Sequence, residues 1–260
     1  MQKVFHVALS LALGALAGCG ARTSPNEGGG PSSGDAAELV ILVGNSFIPP
    51  TERLLEEFTT ATGIHATYTT GGSEDLLPHV EAKRQGDVFI THDPYLDSTR
   101  EHGAYSDHVS VGFVAPVLAV QKGNPKNLSG IEDLTQPGLK VALSDPAYST
   151  CGEMVFALLQ KKGIHDAVMK NVENRLTKGH SNLGNLVKTR VVDAVIMWNG
   201  VANTFKDHLD VVKTPYEYDE EVGVRVIGLN YSKQPEAVER FIAFTREKGE
   251  AIFAEHGYVK

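Results

Sequence analysis

Cysteine is nearly absent. Of 260 residues only Cys19 and Cys151 carry a thiol, which excludes a disulfide-stapled scaffold. No apolar run reaches the roughly 20 residues that a membrane-crossing helix needs. Basic charge is in deficit: Lys plus Arg total 24 against 32 Asp plus Glu. A binder of nucleic-acid phosphates concentrates Lys and Arg, so nucleic acid is not an expected partner. The ten histidines form no ligand-spaced cluster, so no metal site is expected, and His92-Asp93 reads as a surface or helix-capping pair. No cofactor motif is present either. What remains is a chain of 42% hydrophobic and 22% charged residues, enough to bury a full core. Its length suits two lobes of about 100 residues each behind a processed N-terminus.

Residues 1–18 carry Lys3, then the apolar run Val4–Leu13, then small residues up to Cys19. This is the layout of an export signal, too short to span a bilayer. Leu16-Ala17-Gly18-Cys19 resembles a bacterial lipobox, in which the cysteine is diacylated and becomes the new N-terminus; two or three acyl chains make a stable anchor. Residues 19–37 are rich in Gly, Ser and Pro with almost no apolar side chains, so they are expected to be a flexible tether. With Cys19 lipidated, Cys151 has no intrachain partner.

The folded part begins with Leu39–Val43, a continuous apolar run that suits a strand buried on both faces. Pro49 and Pro50 open a helix with Leu54, Leu55, Phe58 and Ala61 at helical spacing, and Gly63 stops it. A strand at Ile64–Thr69, a helix opened by Gly71-Gly72-Ser73 and a strand at 87–91 complete a β-α-β-α-β unit. Such alternation specifies a mostly parallel sheet with covering helices. Val109–Val120 reads as one long strand, interrupted by Pro116, that could pass from one lobe to the other. A second unit has a strand at Leu139–Leu143, a helix at Met154–Lys162, a helix at Asn182–Thr189 and a strand at Ala194–Trp198. Val222–Leu229 is a return strand and Pro235–Lys248 a closing helix. The expected fold is α/β and two-lobed, with residues 38–117 and 219–260 in one lobe, residues 118–218 in the other, and a ligand cleft between them. The run Tyr216–Glu221 reads as a solvated acidic loop.

One arrangement recurs. Strands end in Gly, Ser, Thr or Asn residues that lead straight into helices, at Gly44-Asn45-Ser46, Gly71-Gly72-Ser73, Ser149-Thr150-Cys151-Gly152 and Gly179-His180-Ser181-Asn182. A helix start has backbone N–H groups without intrahelical partners and partial positive charge, so it can hold an anion with no Lys or Arg. Such residues are also ordinary N-caps, and Thr150-Cys151-Gly152-Glu153 fits a capping box.

From Leu39 onward the chain resembles the periplasmic molybdate-binding component of ATP-driven importers, a type II solute-binding protein. The resemblance rests on Leu42–Phe47 with Phe58 after it, on Gly86–Asp93, on Ser144-Asp145-Pro146 followed by Gly152, on Val187–Trp198 and on Ala251–Tyr258. It implies an oxyanion held by two serine hydroxyls, matched by Ser46 and Ser73, and by backbone amides at Cys151 and His180. Trp198 stands where that family has a tyrosine, and an indole has one N–H donor and no acceptor. Asn45, Gly72, Thr150 and Asn199 are the expected neighbours. An imidazolium at His180 would strengthen anion binding at low pH. The resemblance further implies a monomeric, non-enzymatic lipoprotein that delivers molybdate or a similar oxyanion to an inner-membrane permease. Alternatives are a receptor for sulfate, phosphate, an organic anion or a metal ion, a sensory module, or a secreted thiol enzyme using Cys151.

Overall fold

The unbroken apolar run Leu39–Val43 becomes β1 (Glu38–Gly44), covered on both faces from Ile41 onward, with Val40 exposed at the strand's start. Leu39, Ile41 and Val43 pack with Phe58 on one side, whereas Leu42 joins Leu76, Val80 and Phe89 on the other. That double burial explains why the strand does not alternate with polar residues. A computed structural model describes residues 38–213 and 221–259. After β1 come α1 (Ile48–Thr62), β2 (His65–Gly71), α2 (Ser73–Glu81), β3 (Val88–His92), α3 (Tyr95–Glu101) and β4 (Tyr105–Val114). Helix α1 starts on Pro49 and Pro50 and ends at Gly63, whose φ of 71° supplies the left-handed cap.

The chain then changes sheet. One residue, Ala115, separates β4 from β5 (Pro116–Gln121), so the single strand expected over Val109–Val120 is two strands in two different sheets. β6 (Val141–Ser144), α4 (Thr150–Lys161), α5 (His165–Val172), β7 (Leu176–Thr177) and α6 (His180–Lys188) follow, then β8 (Ala194–Trp198), α7 (Asn199–Thr204) and β9 (Leu209–Val211). Strand β10 (Val222–Leu229) returns to the first sheet, and α8 (Pro235–Glu255) closes the chain, seven residues longer than the helix expected to end at Lys248. Residues 216–220 of the acidic run lie outside the described residues.

The first sheet has the order β2-β1-β3-β10-β4 and the second β7-β6-β8-β5-β9. β10 alone runs against its neighbours in the first sheet, and β5 alone in the second. Both sheets are therefore mostly parallel, and the reversed strand in each adjoins a passage between sheets. Helix α8 packs on β4 and α1, with Phe58 and Phe241 edge to face at 5.0 Å. Among the described residues no helix is long and apolar enough to cross a membrane.

Asn199, at the start of α7, ties the passage together. Its Oδ1 accepts the Ala115 N–H (3.2 Å), and its Nδ2 donates to the carbonyls of Phe113 (3.2 Å) and Val259 (2.9 Å). The carboxamide is thus turned to the strand junction and the C-terminal segment. Replacing Asn199 by Ala strands these backbone groups and is expected to cost about 1–3 kcal/mol of stability, read as a lower urea midpoint. A variant with unchanged stability and altered ligand affinity would place Asn199 in a binding site instead.

Candidate functional site

Parallel strands of one sheet end at the same edge, so the segments that follow them are neighbours in space. In the first sheet β1, β2 and β3 deliver Gly44-Asn45-Ser46-Phe47, Gly72-Ser73-Glu74 and His92 to one wall of a cavity. In the second, β6, β7 and β8 deliver Tyr148-Ser149, Lys178-Gly179-His180 and Trp198 to the opposite wall. The enclosed space, mouth included, is about 390 Å³. Of the residues expected at a site, Asn45, Ser46, Gly72, Ser73, His180 and Trp198 line this cavity. Thr150 and Cys151 lie in the first turn of α4, behind the lining residue Ser149, and Asn199 faces the strand junction.

The helix starts differ in how they are capped. Ser149, not Thr150, is the N-cap of α4, and its Oγ accepts the Gly152 N–H at 3.4 Å. The capping box expected at Thr150–Glu153 is therefore shifted one residue back, with glycine at its fourth position. That glycine is required by contact: a Cβ at Gly152 would lie 2.7 Å from the Ser144 carbonyl oxygen. The Thr150 N–H is directed at Glu74 Oε1, 3.4 Å away on the other wall. This leaves the Cys151 N–H as the donor of that turn without an assigned acceptor among the described residues. The turn at Asn45–Phe47 and the helices α2 and α6 have no side-chain cap at all. Ser46 and Ser73 are thus not cap residues, and their hydroxyls are not consumed by their own helix starts.

The surroundings hold these groups in place. A Cβ at Gly44 would come within 2.8 Å of Ser73 Oγ, so the absence of a side chain there lets the two loops approach. The Ser46 carbonyl accepts a hydrogen bond from the Tyr258 hydroxyl, which ties the first loop to the C-terminal segment. The Trp198 indole is 2% exposed, with His180 stacked on it at 5.6 Å and 29° and His92 edge-on at 5.7 Å. The bulkier ring in this position is accommodated by packing against two imidazoles.

Fixed charge at the cavity is engaged with protein partners, leaving one carboxylate in excess. Lys178 pairs with Asp75 at 3.2 Å and lies over the Tyr148 ring at 4.7 Å, so it is a rim cation already engaged. Glu74 supplies one carboxylate, held against the start of α4. Burial, and to a lesser extent the neighbouring His92, pushes the His180 ring down to about 3. Burial also lowers His92, although the Asp93 carbonyl accepts from its Nδ1 at 2.7 Å. In these surroundings the His180 ring is neutral at ordinary pH. A cavity lined mainly by N–H and O–H donors suits an anion of small size.

One expectation is corrected. His92 is not a surface or capping residue: it is 5% exposed and forms part of the cavity wall. The signal for it was its position at the end of a buried strand, the same signal that marks the other lining segments. The alternative of a reactive thiol is disfavoured, because Cys151 is fully buried and burial raises its thiol well above the ordinary range. Glu74, Lys178 and Tyr148 were not anticipated, and as ordinary surface types they carry no signal of their own. Among the described residues no group of three His, Cys, Asp or Glu side chains could hold a metal ion. In a Cys19→Ser variant the remaining thiol is expected to resist aromatic disulfide reagents in the native state and to react on unfolding. Rapid native-state labelling would restore the reactive-thiol reading.

Residues 39–259 match the family described as bacterial extracellular solute-binding protein. The molybdate-binding protein ModA of Mycobacterium bovis is 26% identical over 250 residues, covering 94% of this chain and 93% of its own. Among solved structures, a substrate-binding domain ascribed to a molybdenum ABC transporter of Clostridium difficile superposes with a TM-score of 0.67 at 21% identity, covering 85% of this chain and 98% of its own. The sulfate-binding protein SubI of Mycobacterium tuberculosis gives 0.70 at 16% identity, with 85% and 86% covered. This chain belongs to the bacterial extracellular solute-binding protein family.

Proposed function

We propose that this chain is the receptor of an ATP-driven importer, closing two lobes over a small tetrahedral oxyanion and passing it to an inner-membrane permease. Molybdate is the ligand favoured by the relatives, and tungstate is its nearest chemical analogue. The observation that carries the reading is the convergence of uncapped helix starts from both sheets on one cavity. Ser46 and Ser73 donate hydroxyls, Cys151 and His180 donate backbone N–H groups, and Trp198 forms a wall with a single N–H. Asn45, Gly72 and Thr150 shape the turns around them. No bond is made or broken in the ligand. Binding selects the closed arrangement because donors from both walls reach the anion only there, and closure is what the permease reads.

The lobes in this reading are residues 38–117 with 219–260, and residues 118–218. The change of sheet between β4 and β5 supports the first boundary. Residues 1–18 direct export, residues 19–37 tether the folded part, and lipidated Cys19 anchors a monomer to the membrane. A second reading, another solute in the same cleft, is favoured by Trp198, whose ring changes shape and donor count at the family's tyrosine position.

Calorimetric titration with molybdate, tungstate, sulfate and phosphate ranks the ligands. Ser46→Ala combined with Ser73→Ala is expected to weaken the tightest of them by about 1–3 kcal/mol per hydroxyl. Unchanged affinity in the double variant would remove the site. Export of a Cys19→Ser variant should move the protein from the membrane to the soluble extracytoplasmic fraction, and continued membrane association would refute the anchor.

A further inference from the structure

Two imidazoles, one from each wall, flank the Trp198 indole and border the cavity: His92 at the end of β3 and His180 at the first position of α6. Their protonation can be read from their partners. His92 Nδ1 lies 2.7 Å from the Asp93 carbonyl oxygen, which can only accept, so Nδ1 carries the proton and Nε2 keeps a lone pair. His180 is 9% exposed, and its buried Nδ1 has no hydrogen-bond partner. A neutral ring has one basic nitrogen, so the neutral pair places two lone pairs in a wall that otherwise carries hydroxyl and N–H donors and the Glu74 carboxylate. An unpartnered buried polar atom costs about 1–3 kcal/mol, and a native structure keeps one for a reason.

Burial, not the neighbouring charges, keeps the pair neutral. Glu74 and Asp93, the latter paired with Arg225 at 2.6 Å, pull weakly towards protonation of His92, whose ring also meets Tyr95 edge-on at 5.2 Å; burial outweighs them, and a charge on His92 opposes one on His180. Lys178, beside α6, is turned to Asp75 at the rim. The one carboxylate on the cavity wall, Glu74, is held by the Thr150 N–H, and an oxyanion in the cavity would bring the rings a further counter-charge.

We propose that the cleft takes up its oxyanion together with one proton, held by the His92–His180 pair, which makes these two side chains ligand-binding and specificity-determining residues. The inference rests on the oxyanion reading and adds to it. The proton comes from solvent, an imidazole nitrogen becomes N–H⁺, and no bond in the ligand changes. The cation so formed stacks on the Trp198 indole and donates to the anion. A doubly charged anion gains more from this than a singly charged one, so the pair discriminates by ligand charge.

The test is calorimetric titration of the protein with molybdate and with sulfate between pH 5.5 and 8, in buffers of different ionisation enthalpy. Both anions stay fully deprotonated in this window, and the His180 ring, at about 3, stays neutral until the anion binds. A proton bound only in the complex makes affinity fall as pH rises. The expected result is uptake approaching one proton per anion, with affinity rising by up to about tenfold per unit of falling pH. His92→Gln with His180→Gln is expected to bind more weakly, without proton uptake and without the pH slope. Binding with flat affinity and no proton uptake in the unaltered protein would overturn the inference while leaving the oxyanion reading intact. A slope that survives in the double variant would do the same. Failure of every oxyanion to bind at any pH would overturn both.

Discussion

Backbone N–H groups at helix starts are the constraint on which the rest of this molecule depends. Each helix leaves its first amides without internal partners, and a fold must cap them, hydrate them or reserve them. Here one start, that of α4, is capped by Ser149, whereas the Asn45 turn, α2 and α6 have no side-chain cap and open on the same cavity. The parallel strands are what make this possible, because they end at one edge of each sheet and send the next segment in the same direction. The one-residue passage at Ala115 between β4 and β5 links the two sheets, and Asn199 holds it.

The second feature is that the cation on the cavity rim is already committed to a protein partner. Lys178 is paired with Asp75 and Glu74 is held against α4, so the formal charges at the cavity are engaged with protein partners. The acidic composition, 32 Asp and Glu against 24 Lys and Arg, is no obstacle to anion capture by such a site. Cys151, His180 and Trp198 sort differently once placed. Cys151 is a buried packing residue, whereas His180 and Trp198 stack on each other in the cavity wall.

The strands and helices that carry the site were legible because their signals are local. Leu39–Val43 is apolar throughout, with both faces buried from Ile41 onward, and Pro49-Pro50 and Gly63 bound α1 by their own backbone restrictions. The strand at Val109–Val120 was misjudged as one because β4 and β5 share the same residue types, and only the pairing of β5 with β8 and β9 assigns it to the other sheet. The N-cap of α4 moved from Thr150 to Ser149 because both residues are competent caps and the choice depends on which backbone bends out of the helix. Asn199 had the composition of a site residue and the contacts of a brace.

By itself, the sequence determined the two sheets, most helix starts and the Gly, Ser and His residues that meet at the cavity, because hydrophobic runs, caps and breakers act through neighbours along the chain. Tertiary structure alone decided which of those residues face one another. His92 becomes a wall residue, Cys151 a buried thiol and Glu74 a contact across the cleft through burial and approach between segments distant in sequence. Those quantities depend on how the sheets pack, which no local pattern encodes.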